Sequence, residues 1–62
     1  MPLIEVHMAE GRTDEQKRAL LDGITDVVQQ TIDAPVESIR VWIHEFRPTE
    51  YMAAGKLLAD RK

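Results

Sequence analysis

Pro2, Arg12 and Arg40 are residues of types that together can move a proton on a carboxylated molecule. Proline stands directly behind the initiator methionine in M-P-L-I-E-V-H-M. Removal of Met1 would turn the Pro2 nitrogen from a tertiary amide into a basic secondary amine; with Met1 attached, the amide has no lone pair for catalysis. A general base works best with a pKa near the working pH. An ordinary secondary amine is too basic for that, but an apolar pocket and neighbouring cations both lower its pKa. Arg12 and Arg40 offer guanidinium groups, which fork bidentately onto carboxylates. The set suits a small carboxylated substrate that loses and regains a proton.

Each residue also has a plainer reading. Pro2 can be a tolerated strand-leading residue, and Arg12 a solvated loop residue. Arg40, on a mostly apolar strand, can pair with a carboxylate of a partner subunit, since an unpaired buried charge is costly. His7 and His44 read as ordinary strand residues, Trp42 as interface core, and Glu10, Glu45 and Glu50 as solvated.

The elements that must position these groups follow from periodicity. Pro2 to Ala9 alternates Ile4, Val6 and Met8 with Glu5 and His7, the period of a strand. Thr13 is a good helix N-cap, and Gln16 three residues later completes a capping box. Asp14 and Glu15 place negative charge in the first turn, where the helix dipole favours it. Leu20, Leu21, Ile24, Val27, Val28 and Ile32 then form an apolar stripe at helical spacing. Pro35 biases Ala34 away from helical angles, so the helix should end near Ile32 or Asp33. Ser38 to Phe46 (S-I-R-V-W-I-H-E-F) is rich in β-branched and aromatic residues and reads as a second strand, ended by Pro48. In the tail, Met52 to Ala59 leans helical by propensity, while Gly55 argues for a turn.

Strand, helix, strand is a βαβ unit, an α/β fold with two parallel strands and one right-handed crossover helix. Parallel sheets are normally covered on both faces. One helix covers one face only. Ile39, Val41 and Ile43 lie on one side of the second strand, and Arg40, Trp42, His44 and Phe46 on the other. Both sides hold bulky apolar groups, so at least one should meet another subunit. Pattern alone therefore predicts an oligomer.

Size and composition agree. A chain of 62 residues reads as one domain spanning 1–62, and a chain this short is marginally stable alone. It has no cysteine, which removes disulfides and thiolate metal sites. The two histidines are too few for a convincing zinc set, so no metal is expected. Apolar content of 44% with 31% charged residues is that of a globular protein. A net charge of −3 argues against a nucleic-acid partner. No apolar run is long enough to span a membrane, and no charged leader precedes an apolar signal core. A cytoplasmic location is the default expectation.

The combination resembles the 4-oxalocrotonate tautomerase family nearly end to end. The residues that carry the resemblance are Pro2, E-G-R-T-D-E-Q-K (Glu10 to Lys17), D-A-P (Asp33 to Pro35) and S-I-R-V (Ser38 to Val41). The resemblance implies a β-α-β subunit with a short C-terminal hairpin, assembled as a homohexamer of three dimers with active sites shared between subunits. It implies a cofactor-free enol–keto tautomerase acting on a small unsaturated 2-oxo or 2-hydroxy acid or diacid, such as a 2-hydroxymuconate-like dienol. Pro2, as the mature N-terminus, would take a proton from the dienol and return it at a distant carbon. Arg12 would bind the far carboxylate and draw electron density toward it. Arg40, from a neighbouring chain, would hold the near carboxylate and the 2-oxygen. Tyr51 stands where the family has an aromatic residue, usually phenylalanine, that keeps the pocket apolar.

Some positions depart from the family pattern. Tyr51 adds a hydroxyl that must be hydrated or hydrogen-bonded. The glycine-rich run after it is thinned to Met52-Ala53-Ala54-Gly55. Trp42 and Arg47 are further places where substrate preference can diverge. Haloacrylate dehalogenases share G-R-T-D-E-Q-K-R-A-L, but Ala9 stands where their second arginine is expected. No carboxylate is clearly placed to activate water. Hydration or dehalogenation therefore ranks below tautomerisation, as does a non-catalytic oligomeric binding module with the same fold.

Overall fold

The structure, a computed structural model, describes residues 1–61. Strand β1 (Leu3–Ala9) leads through a glycine turn into helix α1 (Asp14–Ile32), and strand β2 (Arg40–Phe46) follows. A short hairpin of β3 (Met52–Ala53) and β4 (Lys56–Leu57) comes next, followed by a 3-10 turn at Leu58–Asp60. Among the described residues no helix is long and apolar enough to cross a membrane.

β1 and β2 pair in parallel, with Leu3 opposite Arg40, Glu5 opposite Trp42, His7 opposite His44 and Ala9 opposite Phe46. Because side chains alternate across a strand, these pairs share one face. Ile4, Val6, Met8, Val41 and Ile43 share the other and are half-buried. Helix α1 starts as its sequence dictates: Thr13 Oγ1 accepts from Gln16 N–H at 3.1 Å, and Gln16 Oε1 accepts from Thr13 N–H at 3.0 Å. It ends where Asp33 turns left-handed (φ 56°, ψ 40°), just before Ala34-Pro35.

One boundary differs from the sequence reading, and the C-terminal hairpin that the family resemblance implies is present. Val36–Ser38 forms a single 3-10 turn, so β2 begins at Arg40 rather than Ser38. The tail does not follow its helical propensity: Ala54 (φ 54°) and Gly55 (φ 79°) both adopt positive φ, the signature of a tight two-residue hairpin turn. Propensity is a weak prior that turn geometry overrides.

The apolar stripe of α1 is wider than its own sheet can cover. Leu21, Ile24 and Val28 are half-buried, whereas Leu20, Val27 and Ile32 stay exposed. Ile39 is the single apolar residue among those described that is buried outright. The Cα radius of gyration is 14.6 Å, against about 10.5 Å for a self-sufficient domain of this length. The chain is an extended slab, with unrealised burial on both faces.

Candidate active site

Pro2 and Arg40 meet at the start of the sheet. Parallel pairing brings the heads of the two strands together, and the Arg40 N–H donates to the Pro2 carbonyl at 3.1 Å. The Arg40 guanidinium folds back on the 3-10 turn before it, where Nη1 donates to the Glu37 carbonyl at 2.7 Å and the Ile39 carbonyl at 3.2 Å. Arginine has five N–H donors in a fixed fork, so the Nε and Nη2 edge remains available for a carboxylate. Among the described residues no carboxylate pairs with Arg40 or with Arg12.

Arg12 and Tyr51 lie beyond the other end. Gly11 has φ 128°, which a side chain would strain, and it swings the chain from β1 toward the helix cap. Arg12 then lines a surface pocket of about 240 Å³ with Met8, Gln16, Lys17 and Leu20. Lys17 is already committed, pairing with Glu45 at 3.2 Å and Asp14 at 3.6 Å. The hydrogen bond its ammonium donates to Glu45 is the main cause that holds it above the usual pKa of 10.5. Arg12 is therefore the uncommitted cation of this pocket. Tyr51 stacks on Phe46, with ring centroids 5.1 Å apart and planes within 15°. The Tyr51 carbonyl accepts from Leu58 N–H at 2.9 Å, which ties the ring to the C-terminal hairpin.

The four residues thus fall into two groups within one chain. β1 spans seven residues, a strand of about 23 Å at ~3.3 Å per residue. Pro2 and Arg40 stand at its head, Arg12 and Tyr51 past its foot. A small diacid cannot reach both groups in a single chain.

Residues 2–61 match the family model described as tautomerase enzyme. The chain belongs to the tautomerase family. It is 50% identical over 60 residues to a 2-hydroxymuconate tautomerase of Bacillus subtilis, covering 97% of each chain. Its structure superposes with a TM-score of 0.93 on YwhB, a homologue of 4-oxalocrotonate tautomerase, at 48% identity, covering 98% of this chain and 100% of the other. A heterohexamer 4-oxalocrotonate tautomerase from Chloroflexus aurantiacus gives the same TM-score of 0.93 at 31% identity, each chain fully covered. The enzyme is thus an isomerase of the tautomerase type.

The sequence reading takes His7, His44 and Trp42 singly, as strand and interface residues, whereas the structure of this tautomerase gathers them around Glu5. On the open face of the sheet, Glu5 Oε1 stands 3.3 Å from His7 Nε2, and Glu5 Oε2 stands 2.9 Å from His44 Nδ1. Trp42 Nε1 also donates to Glu5 Oε2 at 3.2 Å, and the two imidazoles stack with centroids 5.5 Å apart. The hydrogen bond from His44 is the leading cause that lowers the Glu5 pKa below its ordinary 4.5. Strand alternation puts Glu5 and His7 on one face. The cross-strand register that adds His44 and Trp42 is invisible in sequence.

Proposed function

We propose that this chain is an enol–keto tautomerase for a small unsaturated 2-hydroxy or 2-oxo acid or diacid of the 2-hydroxymuconate kind, with Pro2 as the proton carrier. Loss of Met1 frees the Pro2 secondary amine, which takes the enol proton of the substrate and delivers it to a distant carbon of the conjugated chain. Arg12 binds the far carboxylate and stabilises the electron density that builds there. Arg40 holds the near carboxylate and the 2-oxygen. Tyr51 walls the pocket. The reaction moves one proton, with no net redox change and no cofactor.

The observation that carries this reading is the separation of Pro2 and Arg40 from Arg12 and Tyr51 along the sheet. A complete site requires at least two chains, so catalysis and assembly are one requirement. Support for assembly comes from the apolar side chains left bare: Leu3, Val27, Ile32 and Met52 are each more than half exposed. Burying a side chain of this size contributes about 1.5–3 kcal/mol. A homohexamer of three dimers is the arrangement we favour; the Chloroflexus relative, a heterohexamer, supports the count of six rather than the identity of the chains.

The test combines intact mass with kinetics. Protein lacking the methionine should turn over a 2-hydroxymuconate-like dienol. Pro2→Ala should lose about 10²- to 10⁴-fold, the usual worth of a positioned general base. Full activity in Pro2→Ala, or in protein that retains Met1, would rule out the proline mechanism.

A further inference from the structure

The proton transfer described above leaves Glu5, His7 and His44 unused. Their ligand atoms all lie within 4.8 Å of one another on the open face of the sheet. We propose that these three residues form a transition-metal site of the two-histidine, one-carboxylate class, with zinc as its ion.

The geometry is that of a chelate built on two strands. Glu5 and His7 are two apart on β1 and point to the same side, and His44 is the register partner of His7 on β2. Zinc holds nitrogen ligands at about 2.0–2.1 Å and carboxylate oxygens at about 2.0–2.2 Å, which places tetrahedral ligands about 3.4 Å apart. Glu5 already stands 3.3 Å from His7 Nε2 and 2.9 Å from His44 Nδ1. An ion between them takes the place of the N–H groups these nitrogens now direct at the carboxylate, each neutral imidazole then carrying its proton on its other ring nitrogen. Three protein ligands leave a fourth position for water.

The chemistry of the pairing also points to a metal. The other paired carboxylates in the described structure meet lysine or arginine: Asp14 and Glu45 with Lys17, Asp22 with Arg18, Glu50 with Arg47. Glu5 alone is flanked by two imidazoles, which unlike lysine or arginine can ligate metal at neutral pH. The Arg40 guanidinium, on the same face, is held by the Glu37 and Ile39 carbonyls instead. Trp42 supplies an outer hydrogen bond that orients the carboxylate, the kind of support metal ligands commonly have. An ion here would clip β1 to β2, and metal binding is one route by which chains below about 70–80 residues gain stability. Counting histidines in the sequence missed this set because its third ligand is a glutamate supplied by strand alternation.

The test uses the untagged full-length chain, stripped with a chelator and titrated with Zn²⁺. Calorimetry should show one Zn²⁺ per chain, and the ion should raise Tm by several degrees, as ligands of the folded state do. His7→Ala and His44→Ala should each weaken binding by about tenfold or more. A measurement on the unsubstituted protein guards against variants that fail to fold: with Cu²⁺, which binds such sites more tightly, the electron paramagnetic resonance spectrum should show coupling to two imidazole nitrogens. His7 and His44 are the chain's two histidines, so the variants assign those nitrogens. No binding at millimolar Zn²⁺, coupling to one nitrogen only, or unchanged affinity in either folded variant would overturn the site. None of these outcomes depends on the Pro2 chemistry.

Discussion

The backbone N–H of Arg40 reaches the Pro2 carbonyl at 3.1 Å while the Arg40 guanidinium turns to the Glu37 and Ile39 carbonyls. Strand pairing at the head of the sheet therefore uses the Arg40 backbone, and its side chain is free to be tested separately. Arg40→Ala should keep the native circular dichroism spectrum and oligomer size. Its kcat/KM on a dienol diacid should fall by about 10²- to 10³-fold, the loss of one preorganised electrostatic donor. Arg40→Lys should recover only part of that, because an ammonium cannot fork onto a carboxylate.

The separation of Pro2 from Arg12 along the strand makes a complementation experiment decisive. Pro2→Ala and Arg12→Ala chains should each be nearly inactive alone. Co-refolded, they should regain activity, because a site can take Pro2 from one chain and Arg12 from another. Random mixing in a symmetric oligomer would restore about a quarter of the sites. If the mixture stays as inactive as its components, both residues must come from the same chain and the shared-site reading fails.

Much of the fold is legible in the sequence because local signals agree. Thr13, Gln16 and the acidic first turn mark the start of α1, and Ala34-Pro35 marks its end. Ile4, Val6 and Met8 alternate on β1, and Val41 and Ile43 on β2. The hairpin is less legible from its residues alone, since Ala54 carries no sign that it will adopt positive φ. The same holds for the site. Pro2, Arg12, Arg40 and Tyr51 can be named as candidates from residue type and family resemblance. A parallel βαβ unit already brings the strand heads that carry Pro2 and Arg40 together, while the exact register does not follow from local pattern. The Glu5, His7 and His44 cluster depends on register entirely, a long-range property that no local pattern encodes.

Thr13 closes the capping box beside Arg12, so its loss should be felt in both stability and catalysis. Thr13→Ala removes the hydroxyl that accepts from Gln16 N–H. The expected cost is about 1 kcal/mol, within the usual range of about 0.5–2 kcal/mol for such caps, read from urea unfolding at fixed protein concentration. KM should rise more than kcat falls, because the loop that carries Arg12 loosens while Pro2 is untouched. An unchanged unfolding midpoint would show that the cap does not anchor this loop.

Lys17 predicts a signature at alkaline pH. Its folded pKa is raised above 10.5, chiefly by the hydrogen bond it donates to Glu45. A raised pKa means that the folded state binds the proton more tightly than the unfolded chain does. The contribution is therefore complete below 10.5 and fades as pH rises through the folded value. Lys17→Met should unfold more easily than the parent at neutral pH, and the difference should shrink above pH 10.5. Thermal melts of both proteins across that range measure it. A constant gap would mean that the ion pair with Glu45 adds nothing beyond packing.

The Ala54-Gly55 turn offers a gain in stability with a functional readout. Both residues have positive φ (54° and 79°) between the paired Ala53 and Lys56. Alanine is strained there by about 1–2 kcal/mol, whereas asparagine tolerates the left-handed region and makes Asn-Gly, the preferred pair for this turn. Ala54→Asn should therefore stabilise the protein by roughly 0.5–1 kcal/mol, the scale of compatible turn substitutions, and raise Tm by a few degrees. The hairpin is tied to Tyr51 through Leu58 N–H, and Arg61 Nη2 donates to the Ala53 carbonyl at 3.1 Å. A firmer turn should thus hold the Tyr51 ring more rigidly against Phe46. If that ring walls the substrate pocket, KM should fall in Ala54→Asn along with the rise in Tm. A rise in Tm with unaltered kinetics would place Tyr51 outside the pocket, as a structural partner of Phe46 alone.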